Sequence, residues 1–204
     1  MTLLQKFDPG DIEIALTKLP SHAHRLLFGA GVAERLFPNY RAFTTEVGWG
    51  DPALLRQALD AIWHKLEGGR LPLGEIRERQ AKVRLVTPDS EAFRSALTSA
   101  AIDAASAVHE MLEVCFRDDP RRVTTVATFA RDTVHMFVQN RDHLDYNDPD
   151  FWQRMLKNPL MIRELNKLQS DLDLLGRTPL LDQSFVRAFR SAATYDGRSN
   201  LAFS

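Results

Sequence analysis

The sequence predicts an all-α protein, and three observations lead to that prediction. Most of the ten prolines directly follow a residue whose side chain can cap a helix. Between these prolines, apolar residues recur at intervals of three and four, and we find no convincing alternating run of β-branched and aromatic residues. We therefore expect a single domain over residues 1–204, a bundle of about eight or nine helices around a central alanine-rich helix. Two small helical lobes are the alternative arrangement.

Pairs of a capping residue and a proline mark the expected helix starts. A side-chain oxygen at the N-cap accepts a hydrogen bond from an orphan amide, and proline at the next position has no amide to satisfy. The capping residues of these pairs are Asp8, Asp51, Thr87, Asp119, Asp148, Asn158 and Thr178.

The helical period then places the individual helices. We expect a short helix over 12–19, followed by an apolar helix that ends at Glu34 and Arg35, where Pro38 and Asn39 turn the chain into the next helix. The further helices are expected over 51–66 with a stop at Gly68, over a stretch from 74 to 86, over 95–116, from 119 to 138, and over 160–175.

The alanine-rich helix, about 95–116, is expected at the centre of the fold. Apolar residues cover most of its circumference, and a helix that is apolar nearly all round is buried. Its alanines would let neighbouring helices approach closely. The remaining polar stripe consists of Ser99, Asp103, Ser106, Glu110 and Glu113.

Composition excludes several functional classes. The formal net charge is -1, so the chain has no general attraction for nucleic acid or anionic lipid, and we expect neither as a partner. The single cysteine, Cys115, excludes an internal disulfide framework and a multi-cysteine metal site. The longest stretch without charge, 26–33, is too short to span a membrane, and the first residues lack the apolar region of a secretory signal. We expect a cytoplasmic protein.

Three local patterns suggest chemistry, but each has a simpler structural interpretation. Gly29-Ala30-Gly31 begins like a dinucleotide-binding fingerprint, yet no strand precedes it, so close helix packing is the better interpretation. His109 and Glu113 share a helix face and could hold one metal ion, but a solvated polar stripe explains them as well. Cys115 falls on an apolar stretch, as a core residue would. We therefore expect no catalytic residue, cofactor or metal at these places.

Several short segments of the sequence carry a family resemblance. They are residues 34–43, 48–51, 59–63 and 102–104, and Ser199-Asn200 near the end. Their order and separation resemble the YjaG-like family, the bacterial family of unknown function numbered 416. The resemblance is strongest over 34–66 and weaker over 140–190. It implies a compact, all-helical, cytoplasmic bacterial protein of about this length, and it implies no reaction.

The polar and aromatic residues within these segments are the candidate site. They are Glu34, Arg35, Tyr40, Asp60, Trp63 and Asp103. If Arg35 lies near Asp60 or Asp103, charged hydrogen bonds between helices would fix the register of the bundle. The same residues at the end of a pocket could hold a polar ligand, with Trp63 and Tyr40 as walls. We favour the structural interpretation.

Two functional hypotheses remain. The leading hypothesis is a non-enzymatic helical interaction module whose partner is a protein, including a second copy of this chain. It rests on the lack of an assembled catalytic signature, the near-neutral charge and the 18 aromatic residues (Phe 12, Tyr 3, Trp 3). The alternative is a small-molecule-binding protein or enzyme whose polar pocket lies around Arg35, Asp60 and Asp103.

Overall fold

The computed structural model describes residues 8–204, and this part of the chain contains nine α-helices and no strand. The predicted all-helical fold is therefore confirmed. The helices are α1 (Pro9–Thr17), α2 (His22–Val47), α3 (Pro52–Leu66), α4 (Leu73–Leu85), α5 (Thr98–Val114), α6 (Pro120–Arg141), α7 (Phe151–Lys157), α8 (Pro159–Arg177) and α9 (Gln183–Ser191).

Four of the predicted helix starts are confirmed. Asp8, Asp51, Asp119 and Asn158 each accept a hydrogen bond from an amide in the first turn of the helix that follows, and in each case proline is the first helical residue. The local chemistry of cap and proline is sufficient at these four places, because both partners lie within a few residues of each other.

The other three predicted starts are wrong. The Thr87 hydroxyl donates to the carbonyl of Val83 in α4, and the Thr178 hydroxyl donates to the carbonyl of Leu174 in α8. Both threonines therefore bond backward to the end of a helix. Asp148 accepts from the amide of Asp150 in a turn, and α7 begins after that turn, at residue 151.

The predicted break at Pro38 is also wrong, because α2 continues through it to Val47. Proline inside a helix costs about 3 kcal/mol, since it removes one backbone hydrogen bond and crowds the preceding turn. Here every residue from 35 to 40 is buried, so packing on several sides holds the helix together across the proline.

Helices α2 and α5 lie at the centre of the bundle. They pack closely on each other, and α5 also contacts α3, α4 and α6. The close approach requires glycine: a methyl group at Gly29 would lie 2.3 Å from the sulfur of Met111 on α5. At Gly31 it would lie 2.7 Å from the ring of Phe189 on α9. The packing interpretation of these two glycines is confirmed.

The alanine-rich helix begins at Thr98, three residues later than its predicted start. The Ser95 hydroxyl accepts from the amide of Leu97, and the Ser95 carbonyl accepts from the amide of Thr98. This local turn occupies the positions that the apolar pattern had assigned to the helix. Ten residues of α5 are buried, five of them alanine, as a central helix requires.

The outer helices complete one hydrophobic core. Helix α1 packs on α6, α8 packs on α6 and α2, and α9 packs on α2. After α9 the chain makes a tight turn, which is followed by a buried pair, Ser199 and Asn200. Within the described part of the chain, no helix is both long enough and apolar enough to cross a lipid bilayer.

Candidate functional site

Arg35 lies on α2, fully buried, and its partners are two acidic residues of α8. Its Nε donates to Oε1 of Glu164 at 2.8 Å, and its Nη1 lies 3.5 Å from Oδ2 of Asp171. Glu164 also accepts from the Tyr195 hydroxyl at 3.0 Å, and Asp171 accepts from Lys167 Nζ at 2.5 Å. The positive charges of Arg35 and Lys167 balance the negative charges of Glu164 and Asp171, so this buried network is neutral.

The electrostatics of the buried network favour its charged form. Burial alone would lower the pKa of Arg35, but the attraction of Glu164 and Asp171 outweighs burial and raises that pKa. The pKa of Tyr195 is raised by burial and by the adjacent Glu164 charge, so its hydroxyl stays a hydrogen-bond donor. One guanidinium nitrogen, Nη2 of Arg35, is buried with no hydrogen-bond partner among the described residues.

Asn200 closes the bundle beside Arg35. Its backbone amide donates to the carbonyl of Arg35 at 3.3 Å, and its side chain accepts from the Asn39 amide at 2.9 Å. The Asn200 side-chain amide also donates to the carbonyl of Ala130 on α6. The backbone carbonyl of Asn200 accepts from Arg163 on α8. One residue near the C-terminus therefore joins α2, α6 and α8.

Glu34, the neighbour of Arg35, belongs to a second polar group on a different face of α2. Both of its carboxylate oxygens accept from Arg56 of α3, at 2.6 and 3.0 Å, and Oε2 accepts from the Trp63 ring nitrogen at 2.6 Å. Asp60 pairs with Arg56 at 2.9 Å and with Arg190 of α9. We call these five residues the half-buried cluster; its two cations balance its two carboxylates.

Trp63 forms the inner wall of the half-buried cluster and not the wall of an open pocket. It is 1% exposed, and the Arg190 guanidinium lies over its ring at 5.3 Å. This cluster joins α2, α3 and α9 through paired charges, a geometry that fixes the relative position of the three helices.

Tyr40 is fully buried and also has a structural role. Its hydroxyl donates to the carbonyl of Val86 at 2.6 Å and accepts from the backbone amide of Asp51 at 3.2 Å. Burial raises its pKa, and the Asp51 amide partly opposes that shift. Tyr40 thus ties the end of α4 to the start of α3.

Asp103 on α5 pairs with a neutral partner. Its Oδ2 accepts from the Thr133 hydroxyl of α6 at 2.7 Å. Burial raises the pKa of Asp103 to about 7; the Thr133 hydrogen bond opposes the shift and Asp132 adds to it. No cation among the described residues pairs with it, so the suggestion that Asp103 completes a buried charge pair is wrong.

The six candidate residues therefore occupy four separate places, and the expected convergence of Arg35 with Asp60 or Asp103 is wrong. Successive residues on a helix point about 100° apart, so Arg35 faces α8 while Glu34 faces α3. The carboxylates that Arg35 needs lie at 164 and 171, in the region where the family resemblance is weak. The polar pocket around these three residues is consequently not formed.

The remaining chemical candidates have structural partners. His109 Nε2 accepts from Arg84 at 3.1 Å, and Glu113 accepts from Gln80 at 3.2 Å. Across residues 8–204, no three His, Cys, Asp or Glu side chains form a group able to hold a metal ion. Burial raises the pKa of the Cys115 thiol to about 12, which makes it a poor nucleophile.

A feature that the sequence analysis did not single out is an aromatic group around α7. Phe151 is buried and anchors the rings of Tyr146 and Trp152, at 5.2 Å each, and that of His135, at 5.6 Å. Tyr146 is 60% exposed and Trp152 is 48% exposed. We call these four residues the aromatic surface. Two exposed aromatic side chains thus lie side by side on a fixed support.

The fold and these sites define a class of protein: an all-helical bundle in which the candidate polar residues bond one helix to another. The chain belongs to the family described as "Protein of unknown function (DUF416)", whose model matches residues 11–204. The expected family membership is confirmed.

Individual proteins also match nearly the whole length of the chain. The chain is 25% identical to "Uncharacterized protein YjaG" of Escherichia coli (strain K12), over 93% of this chain and 94% of that protein. It is 24% identical to the protein of the same name from Salmonella typhimurium. The crystal structure of a DUF416 family protein from Shewanella baltica OS155 superposes with a TM-score of 0.86 at 22% identity, covering 94% and 97% of the two chains. That likeness shows the fold.

Proposed function

We propose that this protein is an interaction module that binds a protein partner through the aromatic surface. The observation that carries the proposal is the pair of exposed rings, Tyr146 and Trp152, held in place by Phe151. Tyrosine and tryptophan are enriched at the energetic centres of interfaces, because they bury a large area at low conformational cost. Rings already fixed against a buried anchor lose little further freedom on binding.

The charge around the aromatic surface indicates the chemistry of the partner. The segment 142–150, which carries Tyr146, contains four aspartates and no lysine or arginine. Asp142 pairs with Arg141, and Asp148 pairs with Arg154 of α7, which leaves Asp145 and Asp150 without a basic partner among the described residues. Opposite charges across an interface favour the correct partner, whereas like charges exclude a wrong one. The partner we propose is therefore a protein with an apolar contact flanked by basic residues.

The same charge argues against a second copy of the chain as the partner at this surface. In a two-fold symmetric dimer the same patch is present on both sides. Asp145 and Asp150, which pair with no arginine or lysine of the described residues, would then face identical aspartates, which is unfavourable. A dimer formed through the aromatic surface would thus contradict the proposed partner.

The proposal is tested by capture of proteins from a lysate of the protein's own cell, with matched variants. The test variants are Trp152→Ala and Tyr146→Ala, and the control is Leu180→Ala, a side chain that is 84% exposed and lies outside the aromatic surface. We expect one partner to bind the wild type and the control but not the test variants. With that partner purified, truncation of a hot-spot ring should raise Kd by about thirtyfold or more.

Two results would overturn the proposal. The first is equal recovery of every captured protein by all variants, since specific recognition by the two rings predicts a difference. The second is a dimer in light scattering that Trp152→Ala dissociates, because the occupant would then be a second copy. Circular dichroism of each variant checks that the helical fold is intact.

We further propose a cytoplasmic location. It is supported by Cys115, since free thiols are ordinarily retained in a reducing compartment. Fractionation of the source cells, with marker proteins for each compartment, tests this location. Recovery of the protein with a compartment other than the cytoplasm would contradict it.

A further inference from the structure

A basic cleft lies between α8 and the C-terminal end of the chain, away from the aromatic surface. Its volume is about 560 Å³. The polar and aromatic residues that line it are Arg163, Lys167, Thr194, Tyr195, Asp196 and Arg198. A cleft of this size is large enough for a small organic molecule.

A tight turn forms one wall of this cleft. Tyr195 and Arg198 exchange both backbone hydrogen bonds at 3.0 Å, and the two residues between them, Asp196 and Gly197, have φ of 53° and 79°. This is the turn that joins hairpin strands, and aspartate followed by glycine is one of its preferred sequences. The turn fixes the backbone of Arg198 relative to the cleft.

Two of the residues that line the cleft also belong to the buried network. Tyr195 and Lys167 both line the cleft and both donate to acidic residues of the network, Glu164 and Asp171. The Arg163 guanidinium stacks over the Tyr195 ring at 4.2 Å. Tyr195, Lys167 and Arg163 are therefore held in place before any ligand arrives.

The charge of the cleft favours an anion. The charges of Arg35 and Lys167 already balance those of Glu164 and Asp171. The other charged residues that line the cleft are two cations, Arg163 and Arg198, and one anion, Asp196. No carboxylate among the described residues pairs with Arg163 or Arg198. The Nε of Arg163 is buried with no hydrogen-bond partner in the same part of the chain. The cleft thus has one positive charge in excess.

The directions of the donors distinguish between classes of anion. Lys167 and Arg163 approach from α8, Arg198 from beyond the turn, and Thr194 from before it. The Thr194 oxygen accepts from the Gly197 amide at 3.2 Å, so its hydroxyl hydrogen is available to donate. A phosphate group presents three acceptor oxygens in different directions, whereas the two oxygens of a carboxylate lie in one plane with it.

We propose that this cleft binds the phosphate group of a small organic phosphate, with Arg198, Lys167 and Thr194 as donors and with room for the organic part above Tyr195. This binding is independent of the protein partner proposed above, because the cleft and the aromatic surface share no residue.

The test measures the affinity of glycerol 3-phosphate and of inorganic phosphate by calorimetric titration, with sodium acetate at the same ionic strength as a reference. The test variant is Arg198→Gln, which alters an exposed side chain. The matched control is Arg177→Gln, an arginine on α8 whose side chain is 82% exposed and which does not line the cleft. Loss of one charge-assisted hydrogen bond should weaken phosphate binding by about tenfold or more in Arg198→Gln.

The expected result is phosphate binding by the wild type and by Arg177→Gln, a weaker affinity in Arg198→Gln, and a higher affinity for the organic phosphate than for inorganic phosphate. Absence of binding by the folded wild type would overturn the proposal. So would an equal loss in both variants, since that would indicate general electrostatic attraction, or binding of acetate as tight as binding of phosphate.

Discussion

Glu34 and Arg35 are adjacent on α2, yet they stand in different electrostatic surroundings. Arg35 is fully buried with two acidic residues of α8, and the side chains of Arg35 and Glu164 are both 0% exposed. Glu34 belongs to the half-buried cluster, where the side chains of Arg56 and Asp60 are 25% and 47% exposed. Both groups are electrically balanced and both join three elements of the bundle, so the comparison isolates the effect of burial.

The difference lies in what happens when one charge is removed. Water can solvate a charge that loses its partner in the half-buried cluster, and salt can screen it. The buried network has no such compensation, because an uncompensated charge there stays desolvated. Similar ion pairs on one helix should therefore contribute very differently to stability.

The largest expected effect is at Arg35. Arg35→Gln leaves Glu164 buried without a cation, while Asp171 keeps Lys167, and we expect unfolding to become easier by about 3–5 kcal/mol. Urea denaturation at neutral pH, followed by circular dichroism, measures the change. A loss below about 1 kcal/mol would contradict the description of this network as sealed from solvent.

A double-mutant cycle keeps this prediction testable if Arg35→Gln is too unstable to study. Glu164→Gln removes one acidic charge, and in the double variant Arg35→Gln/Glu164→Gln the imbalance of charge is smaller than in Arg35→Gln alone. We therefore expect the double variant to be more stable than the sum of the two single losses predicts. Strict additivity would mean that the pair is not coupled.

Asp103 sharpens the comparison, because it is a half-buried carboxylate that no cation among the described residues pairs with. Its pKa of about 7 lies above the value of 3.8 for a free carboxyl. The folded state therefore binds a proton that the unfolded state has released between about pH 4 and pH 7. Over that range the contribution of Asp103 to stability falls as pH rises, and above pH 7 it levels off.

Asp103→Asn should accordingly stabilise the protein at pH 8. The asparagine oxygen can still accept from the Thr133 hydroxyl, and no charge needs to be buried. The upper limit of the gain is about 4 kcal/mol, at about 1.4 kcal/mol for each pKa unit. Unfolding of both proteins at pH 5 and pH 8 tests this: the difference should grow with pH, and a difference that is constant or that reverses would refute it.

The fold was predictable because its signals are local. A capping aspartate and the next amides lie within one turn, and the apolar spacing of α5 or α8 needs no knowledge of distant residues. The errors at the two threonines concern the direction of a hydrogen bond. Thr87 and Thr178 can bond forward or backward along the chain, and the tertiary position of the preceding helix decides which. At Pro38, burial on all sides outweighs the local preference for a break.

The candidate site was harder to predict, because its contacts are long-range. Arg35 bonds to residues that are 129 and 136 positions away, and a single sequence does not pair them. One signal was nevertheless present. Glu164 and Asp171 are seven residues apart and lie within the buried face of α8, among Leu165, Leu168 and Leu172. Acidic residues on an apolar helix face indicate a buried cationic partner.

The Asp196-Gly197 pair was a second local signal. This dipeptide is typical of a tight hairpin turn, and here it forms the wall of the basic cleft. The pattern around it does not mark a hairpin, because this part of the chain has no strands for the turn to join. The turn shows that such a sequence can fold the same way at the end of a helical bundle.

A smaller effect is expected at Asn200, which contacts the buried network without carrying charge. Asn200→Ala leaves the Asn39 side-chain amide without its partner and removes the second hydrogen bond of the Ala130 carbonyl, a loss of about 2 kcal/mol. Thermal unfolding measures it. Asn147→Ala is the control, because Asn147 is exposed and bonds only to nearby Asp145; it should change stability by less than about 0.5 kcal/mol. Equal effects would place Asn200 outside the cooperative core.

The smallest effect is expected in the half-buried cluster and completes the comparison. Glu34→Gln keeps an acceptor for the Trp63 ring nitrogen but removes the charge that Arg56 binds, and we expect a loss of about 1 kcal/mol. Because water and ions reach this cluster, the loss should shrink when unfolding is measured at high salt. The loss for Arg35→Gln should change little under the same conditions, since its surroundings exclude ions. If both losses respond equally to salt, burial is not what separates the two neighbours.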